Sequence, residues 1–337
     1  MEKVVLEDKL SRHYWHMIAH RTELPASNDF LVLKWAHGDI VLFNDADDMI
    51  VFDNLCPHRG TRFFIEPAGN APAYCPYHGW SYRNGEVRIP NPERFKPCDL
   101  TRARLNKFQV DWCGDFLFFA IEPCMSLVEQ LGNTSTTLED ISFNICGRAD
   151  LNQYDFECNW RIALENALEP YHIDLIHTDS LGVLKLQDGE NKFYGLNSEW
   201  RAEVGDERLA KRLKAMRRLF SIDFQYEGYL SLYIFPYAML SSTFGYSYSL
   251  QNFFPSAQAG HTHFASRLLT VPTPAASSSA TTAFFESTAK VNRQVFNEDH
   301  DICRRVSPSA LETHDILSDT EEKVRHFRKA LEQVRTA

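Results

Sequence analysis

The sequence predicts an α+β protein in two parts: a small all-β domain over residues 1–124, then a larger domain of antiparallel sheet plus helices over 125–337. Three observations predict this. The first third is made of short apolar runs separated by turn residues, the mark of strands and hairpins. After about residue 124, apolar residues recur at helical spacing. Strand patterns then return, and two helical segments close the chain. A chain of 337 residues that is 44% hydrophobic and 24% charged can bury a substantial core.

In order along the chain, "FLVLKWAHGDIVLFNDADDMIVFDN" (30–54) holds three apolar runs, divided at His37-Gly38-Asp39 and at Asn44 to Asp48. "SYRNGEVR" (81–88) carries an Asn-Gly hairpin turn, and "DFLFFAI" (115–121) reads as a buried strand. "NWRIALENALEPYHIDLIH" (159–177) is apolar at helical spacing, with Pro170 disturbing any helix there. "ERLAKRLKAMRRLF" (207–220) puts Leu209, Leu213, Met216 and Phe220 on one face and basic residues opposite. Strands follow from "GYLSLYIFPYAML" to "HTHFASRLLTV", then a small-residue loop, "TPAASSSATT" (273–282). The closing helices are expected at 283–306 and 318–334, the second opened by a capping box of Ser318 and Glu321.

The chain has 35 basic and 45 acidic residues, a formal net charge of −10, which argues against nucleic acid or an anionic membrane as its main partner. No apolar run has the length of a membrane span. The stretch "MEKVVLEDKLSRHYWHM" is charged throughout and lacks a signal-peptide core, so a cytoplasmic location is expected. In a reducing compartment, closely spaced Cys and His point to metal or catalysis before disulfides.

Two loops stand out: "CPHRG" (56–60) and "CPYHGW" (75–80). Each places one Cys and one His beside Pro and Gly, as Cys56-x-His58 and Cys75-x-x-His78. Thiolate and imidazole both suit zinc and iron. Zinc fingers usually pair Cys with Cys and His with His within a loop, whereas here each loop supplies one of each. The mixed pairing suits a Rieske 2Fe–2S centre, in which one iron takes two Cys and the other two His. The two loops resemble the cluster loops of the Rieske family almost letter for letter.

A second constellation lies in "ENALEPYHIDLIHTD" (165–179). His172 and His177 are five apart, about 140° around a regular helix. Convergence on one metal therefore needs a distorted helix, and Pro170 supplies a local cause. Two His and one carboxylate with open positions form the facial triad of non-haem Fe(II) oxygenases. Together the two constellations resemble the catalytic alpha subunit of Rieske non-haem iron oxygenases over nearly the whole chain. The resemblance implies a helix-grip-like catalytic domain. It implies a third iron ligand from the Glu-Asp pair of "FNEDHDICRRV" (296–306), assigned to Asp299, with Glu298 and Asp301 as weaker candidates. It implies a bridging carboxylate three residues before the first His. Glu169 stands there in place of the commoner Asp, a change that also occurs in the branch acting on quaternary ammonium compounds. Asn166 matches a position close to the iron.

The resemblance further implies a terminal oxygenase that uses O2, with electrons relayed through the 2Fe–2S cluster to Fe(II), to hydroxylate or oxidatively demethylate a small organic substrate. No nucleotide-binding Gly loop is present. NAD(P)H is then expected on a partner reductase, with or without a ferredoxin. Short alpha chains of this family commonly form head-to-tail homotrimers, in which His78 of one subunit would face Glu169 of the next. The alternative is a Rieske electron-transfer protein with a non-catalytic C-terminal domain.

The alternation in "FGYSYSLQNFF" (244–254) sets aromatic residues on one strand face and small ones on the other. The aromatic face reads as core. A sharper reading makes it a pocket wall with Phe235, Tyr237 and Met239, where an aromatic cage would favour a methylated ammonium. The remaining cysteines, Cys98, Cys113, Cys124, Cys146, Cys158 and Cys303, read as buried small apolar residues, and the basic helix around Lys211 and Lys214 as a solvated face.

Overall fold

The computed structural model describes residues 2–46, 48–223, 226–275 and 278–336. The three apolar runs form an antiparallel meander, Asp29–Trp35, Gly38–Asp45 and Asp48–Asp53, extended at one edge by Ala68–Asn70. A second small sheet joins Ala73–Tyr74, Ser81–Arg83 and Glu86–Arg88. Its hairpin turns at Asn84 and Gly85, both at positive φ, as an Asn-Gly turn of this kind requires. A third sheet sets the fully buried Phe116–Ala120 between His16–His20 and Gln109–Cys113.

The larger part is a seven-stranded antiparallel sheet. Its order is Gly147–Phe156, Thr262–Thr270, Ser247–Pro255, Ala238–Thr243, Tyr229–Ile234, Asn197–Val204 and Leu186–Tyr194. Three of these strands, Gly147–Phe156, Asn197–Val204 and Leu186–Tyr194, carry no clear apolar alternation in the sequence. Two of the three are edge strands whose side chains are mostly half-buried or exposed, where burial imposes no period of two.

One continuous core joins the two parts: Leu31, Trp35 and Phe119 from the N-terminal sheets pack with Trp160, Tyr237 and Phe253. A separate small core of Phe43, Phe52, Phe64 and Trp80 lies under Cys56 and Cys75.

Two elements differ from the sequence expectation. The first of the two expected closing helices runs Ser278–Cys303, starting inside the stretch read as a loop. Its first turns are Ser, Ala and Thr, which make weak signals either way, and the helix gains its packing from Phe284 and Phe285 further on. Residues 276–277 of that stretch lie outside the described residues. The cysteines also divide: Cys113, Cys158 and Cys303 are buried, whereas Cys98, Cys124 and Cys146 are exposed. The last helix, Glu322–Thr336, begins after the expected capping box, with Ser318 N–H donating to Glu321 Oε2 at 2.7 Å. No helix among the described residues is long and apolar enough to cross a membrane.

Candidate metal centres and the adjoining cavity

The two Cys/His loops are one structure used twice. Cys56 N–H donates to the Thr61 carbonyl at 2.8 Å, and Cys75 N–H to the Trp80 carbonyl at 2.7 Å. Gly60 N–H closes back on the Cys56 carbonyl, and Gly79 N–H on that of Cys75. Both glycines sit near φ +74°, a conformation that side chains with a Cβ resist (+73° and +75°). The loops thus have equal length and equal closure, and only the His position differs.

This shared geometry sorts the donors. Both cysteines are buried at the loop bases, where Cys75 lies close enough to Cys56 to interact with its thiol. The His58 and His78 rings meet at the tips with centroids 4.7 Å apart. His58 lies flat against Trp80, and its Nδ1 is buried without a hydrogen-bond partner. Burial pushes the Cys56 thiol up; the N–H groups of His58 and Arg59 pull it down, and Cys75 pushes it up again. Sulfur with sulfur, ring with ring and an orphaned imidazole nitrogen fit a two-iron centre with unlike ends.

The second group forms where Pro170 breaks a helix. Helix Trp160–Leu168 ends at Glu169, which is extended at φ −115° and ψ 144°, as a residue before proline prefers. One short turn follows, Ile173–Ile176, with His172 at its start and His177 at its end. The distortion expected from the sequence is therefore this restart of the helix. Gly182 closes it: its N–H donates to the His177 carbonyl at 2.8 Å, and an added Cβ would lie 2.7 Å from that oxygen.

His172 Nε2 and His177 Nε2 approach to 3.1 Å, and both face Asp299 Oδ1, at 3.5 and 3.1 Å. The three residues' ligand atoms lie within 4.8 Å of one another. Each imidazole is aimed from behind by a carboxylate. His172 Nδ1 binds Glu169 Oε1 at 2.6 Å, and His177 Nδ1 binds Glu298 Oε2 at 2.7 Å. Asn166 donates to Asp299 Oδ1 at 2.7 Å. The Glu-Asp pair thus splits its work: Asp299 faces the histidine pair, and Glu298 supports His177 with Ser180 and Gln294 as further partners. Asp301 lies apart, paired with Arg304. The role of Glu298 was not legible from sequence, since any helix-surface carboxylate looks the same.

Electrostatically the group is primed for a cation. Burial would raise the Asp299 carboxyl, but hydrogen bonds from His172 and His177 hold it at about 2. Burial would lower His172, but Asp299 and Glu169 lift it to about 9, and Asp299 and Glu298 likewise raise His177. Two imidazoles and one carboxylate are the donor set of a non-haem Fe(II) site. If His172 is a ligand, a metal has to displace its proton, so iron uptake by the apoprotein is expected to release protons below pH 9. Apparent affinity should then fall as pH drops from about 9, which titration in weak buffer would measure. Glu298→Gln should weaken iron retention against a chelator roughly 10- to 100-fold, the usual cost of losing such a supporting partner.

A cavity of about 390 Å3 adjoins the group. It meets the pocket around His172, His177 and Asp299 at Tyr229, Ser241, Gln251 and Phe296. The strand 247–255 presents its small face, Ser247, Ser249 and Gln251, to this space. Its aromatic face, Tyr246, Tyr248 and Leu250, is core. The core reading of that face holds, and the pocket-wall reading does not: bulky side chains fill space, and small ones leave it open. Of the other residues in that reading, only Met239 reaches the inner pocket; Phe235 and Tyr237 are core. The basic helix behaves as a solvated face, with Lys214 paired to Glu227, while Leu209 and Leu213 line the cavity from its other side.

Comparison with known proteins is decisive at this point. The family model described as "Ring hydroxylating alpha subunit (catalytic domain)" matches residues 146–336, and that described as "Rieske [2Fe-2S] domain" matches 14–103. The chain belongs to the Rieske oxygenase alpha-subunit family. The cofactors of these alpha subunits are a Rieske 2Fe–2S cluster and a mononuclear non-haem iron, with O2 as co-substrate. Among curated relatives, this alpha-subunit chain is 32% identical over 189 residues to the N,N-dimethyl phenylurea N-demethylase subunit alpha of Sphingobium sp. (strain YBL2), covering 50% of this chain and 40% of that protein. It is 26% identical over 174 residues to the glycine betaine monooxygenase oxygenase subunit of Pseudomonas aeruginosa (strain UCBPP-PA14), covering 50% and 41%. The chain thus spans less than half the length of these relatives in the matches. In fold it is similar to the quaternary ammonium Rieske monooxygenase CntA in complex with L-carnitine, with TM-score 0.78, 18% identity, and coverage of 99% of this chain and 93% of that one. It is also similar to a naphthalene 1,2-dioxygenase mutant bound to phenanthrene, with TM-score 0.76, 17% identity, and coverage of 100% and 91%.

Proposed function

We propose that this chain is a terminal oxygenase component that hydroxylates, or oxidatively demethylates, a small organic substrate held in the 390 Å3 cavity. The observation that carries this reading is the convergence of His172, His177 and Asp299 beside that cavity. A Rieske electron carrier with an inert C-terminal domain would have no use for such a group. In this reading Cys56, His58, Cys75 and His78 hold the cluster, and His172, His177 and Asp299 hold the mononuclear iron. When bound, the cluster supplies one-electron transfer and the iron supplies O2 activation.

The chain's own residues do the rest. Glu169 and Glu298 fix both rings with Nε2 inward, and each accepts the Nδ1 proton, which keeps that nitrogen from turning toward a metal. Asn166 holds Asp299 Oδ1 in place. The inner pocket, with Trp200, Tyr229 and Phe296 in its walls, limits water around the histidines. Reducing equivalents would come from NAD(P)H through a separate reductase or ferredoxin, in the cytoplasm, with the functional division of the chain near residue 124. Oxygen uptake coupled to NAD(P)H, screened across candidate substrates with products identified by mass, tests the reading. No substrate-dependent uptake by fully iron-loaded protein would count against it.

A head-to-tail homotrimer belongs to the same proposal. Apolar side chains stand exposed on both surfaces that it would join: Leu55 and Tyr77 in the cluster loops, Tyr171 and Leu175 (78% exposed) on the turn carrying His172. Light scattering on a size-exclusion column should return three times the 38.9 kDa chain mass. A fully active monomer would contradict it.

A further inference from the structure

We infer that the cavity selects an uncharged substrate, one with an apolar body and an amide- or urea-like hydrogen-bonding edge. This inference rests on the reading of the cavity as the substrate site. Its walls are of two kinds. The sheet side is hydroxylic: Ser241, Ser242, Thr243, Ser247 and Ser249, with the amide of Gln251. The opposite side is more apolar: Val291, Val295 and Phe296 from helix Ser278–Cys303 with Leu209 and Leu213 from the amphipathic helix, interrupted by Ser287, Thr288 and Asn292. At about 30 Å3 per non-hydrogen group, the space holds roughly a dozen such groups.

Charge decides the class. Among the described residues lining the cavity there is no Lys, Arg or His, and the one carboxylate is Asp179. The inner pocket adds Asp299 and Glu169, set against the imidazoles of His172 and His177. In the outer cavity a carboxylate or sulfonate would find no cationic side chain to pair with and Asp179 in the wall, a costly burial. A methylated ammonium needs aromatic faces around it. The aromatic rings here, Tyr229, Phe284 and Phe296, are spaced among hydroxyls and aliphatic side chains, and Phe284 and Phe296 are themselves packed against Phe220 and Phe264.

Gln251 sits where the outer cavity meets the histidine pocket. Its Nε2 donates to Ser241 Oγ at 3.5 Å and to Ser249 Oγ at 3.4 Å. Ser241 is also hydrogen-bonded to Tyr229, so the Ser249 hydroxyl proton and the Gln251 carbonyl oxygen remain for a ligand. One donor and one acceptor on one rim match a group that carries both C=O and N–H.

The test is direct binding, by calorimetry, of three similarly sized probes to the iron-loaded full chain: N-methylbenzamide, benzoate and phenyltrimethylammonium. N-methylbenzamide should bind at least tenfold more tightly than either ion. Benzoate or the ammonium binding as tightly, or none of the three binding, would overturn the inference. Gln251→Leu should weaken the amide about tenfold, and unchanged affinity would count against the assigned rim. Ser249→Arg provides a second, independent variant and should raise benzoate affinity about tenfold, with no gain counting against the charge argument. None of these readouts needs turnover, so the oxygenase reading stands or falls separately, on iron content and substrate-coupled oxygen uptake.

Discussion

Asp299→Ala is expected to lower turnover by at least ~100-fold, since even the supporting partners of metal ligands act on a scale of 10 to 100. Bound iron should fall from about three to about two per chain, while the visible absorbance of the cluster stays unchanged. The physical reason is local. Among the described residues Asp299 is the one carboxylate that faces both His172 Nε2 and His177 Nε2, and it also accepts from Asn166. Removing it leaves two imidazoles without the anion that offsets a divalent cation. The cluster loops share no core with Asp299: Cys56 and Cys75 sit over Phe43, Phe52 and Phe64, so their site should survive. Metal analysis and the absorbance spectrum of one preparation check both halves. Loss of both metals together would instead indicate general unfolding.

Glu169→Gln is the second large effect. Turnover should fall roughly 10- to 100-fold with both iron sites still filled. The Gln carbonyl can still accept from His172 Nδ1, so the ring keeps its aim. What is lost is a carboxylate able to accept from two imidazole N–H groups at once, as a link between His172 and His78 of a neighbouring subunit demands. In this chain Oε1 already holds the His172 ring, and Oε2 accepts the His172 backbone N–H at 3.2 Å, a long bond that leaves it room for another donor. The discriminating readout is the rate at which a pre-reduced cluster is reoxidised in the presence of O2 and substrate. A slow rate places the defect between the centres. An unchanged rate with lowered turnover would place it in substrate binding instead.

The two sites were legible in the sequence for different reasons. The loops at 56–60 and 75–80 betray themselves by near-repetition, and the structure explains the one-residue offset of the histidines: both loops close five residues after the Cys, so offset positions let the rings meet above paired sulfurs. His172 and His177 were legible through their place downstream of the Rieske-type loops, and Pro170 breaks the helix that would otherwise hold them apart. Glu298 was not, because its task depends on the rotation of a helix far along the chain.

The strand at 247–255 shows another limit. Its alternation was plain, but alternation names two faces without saying which one meets the core and which the cavity. Packing decided it: Tyr246 and Tyr248 fill the volume between sheet and neighbouring helices, and the serines leave the space on the other side unfilled. The edge strands Gly147–Phe156 and Leu186–Tyr194 escaped notice because their side chains are mostly half-exposed or exposed. Helix Ser278–Cys303 began earlier than its apolar periodicity, since Ser, Ala and Thr commit to no pattern.

In the proposed function, one chain holds two different iron centres, one in the paired loops and one at His172, His177 and Asp299. The most direct measurement is iron and acid-labile sulfide per chain in anaerobically prepared protein, with electron spin resonance after reduction. About three iron and two sulfide are expected, with a Rieske-type signal, and about two iron in Asp299→Ala with that signal intact. Two iron in the wild-type chain, or zinc without sulfide and without a signal, would contradict the proposal.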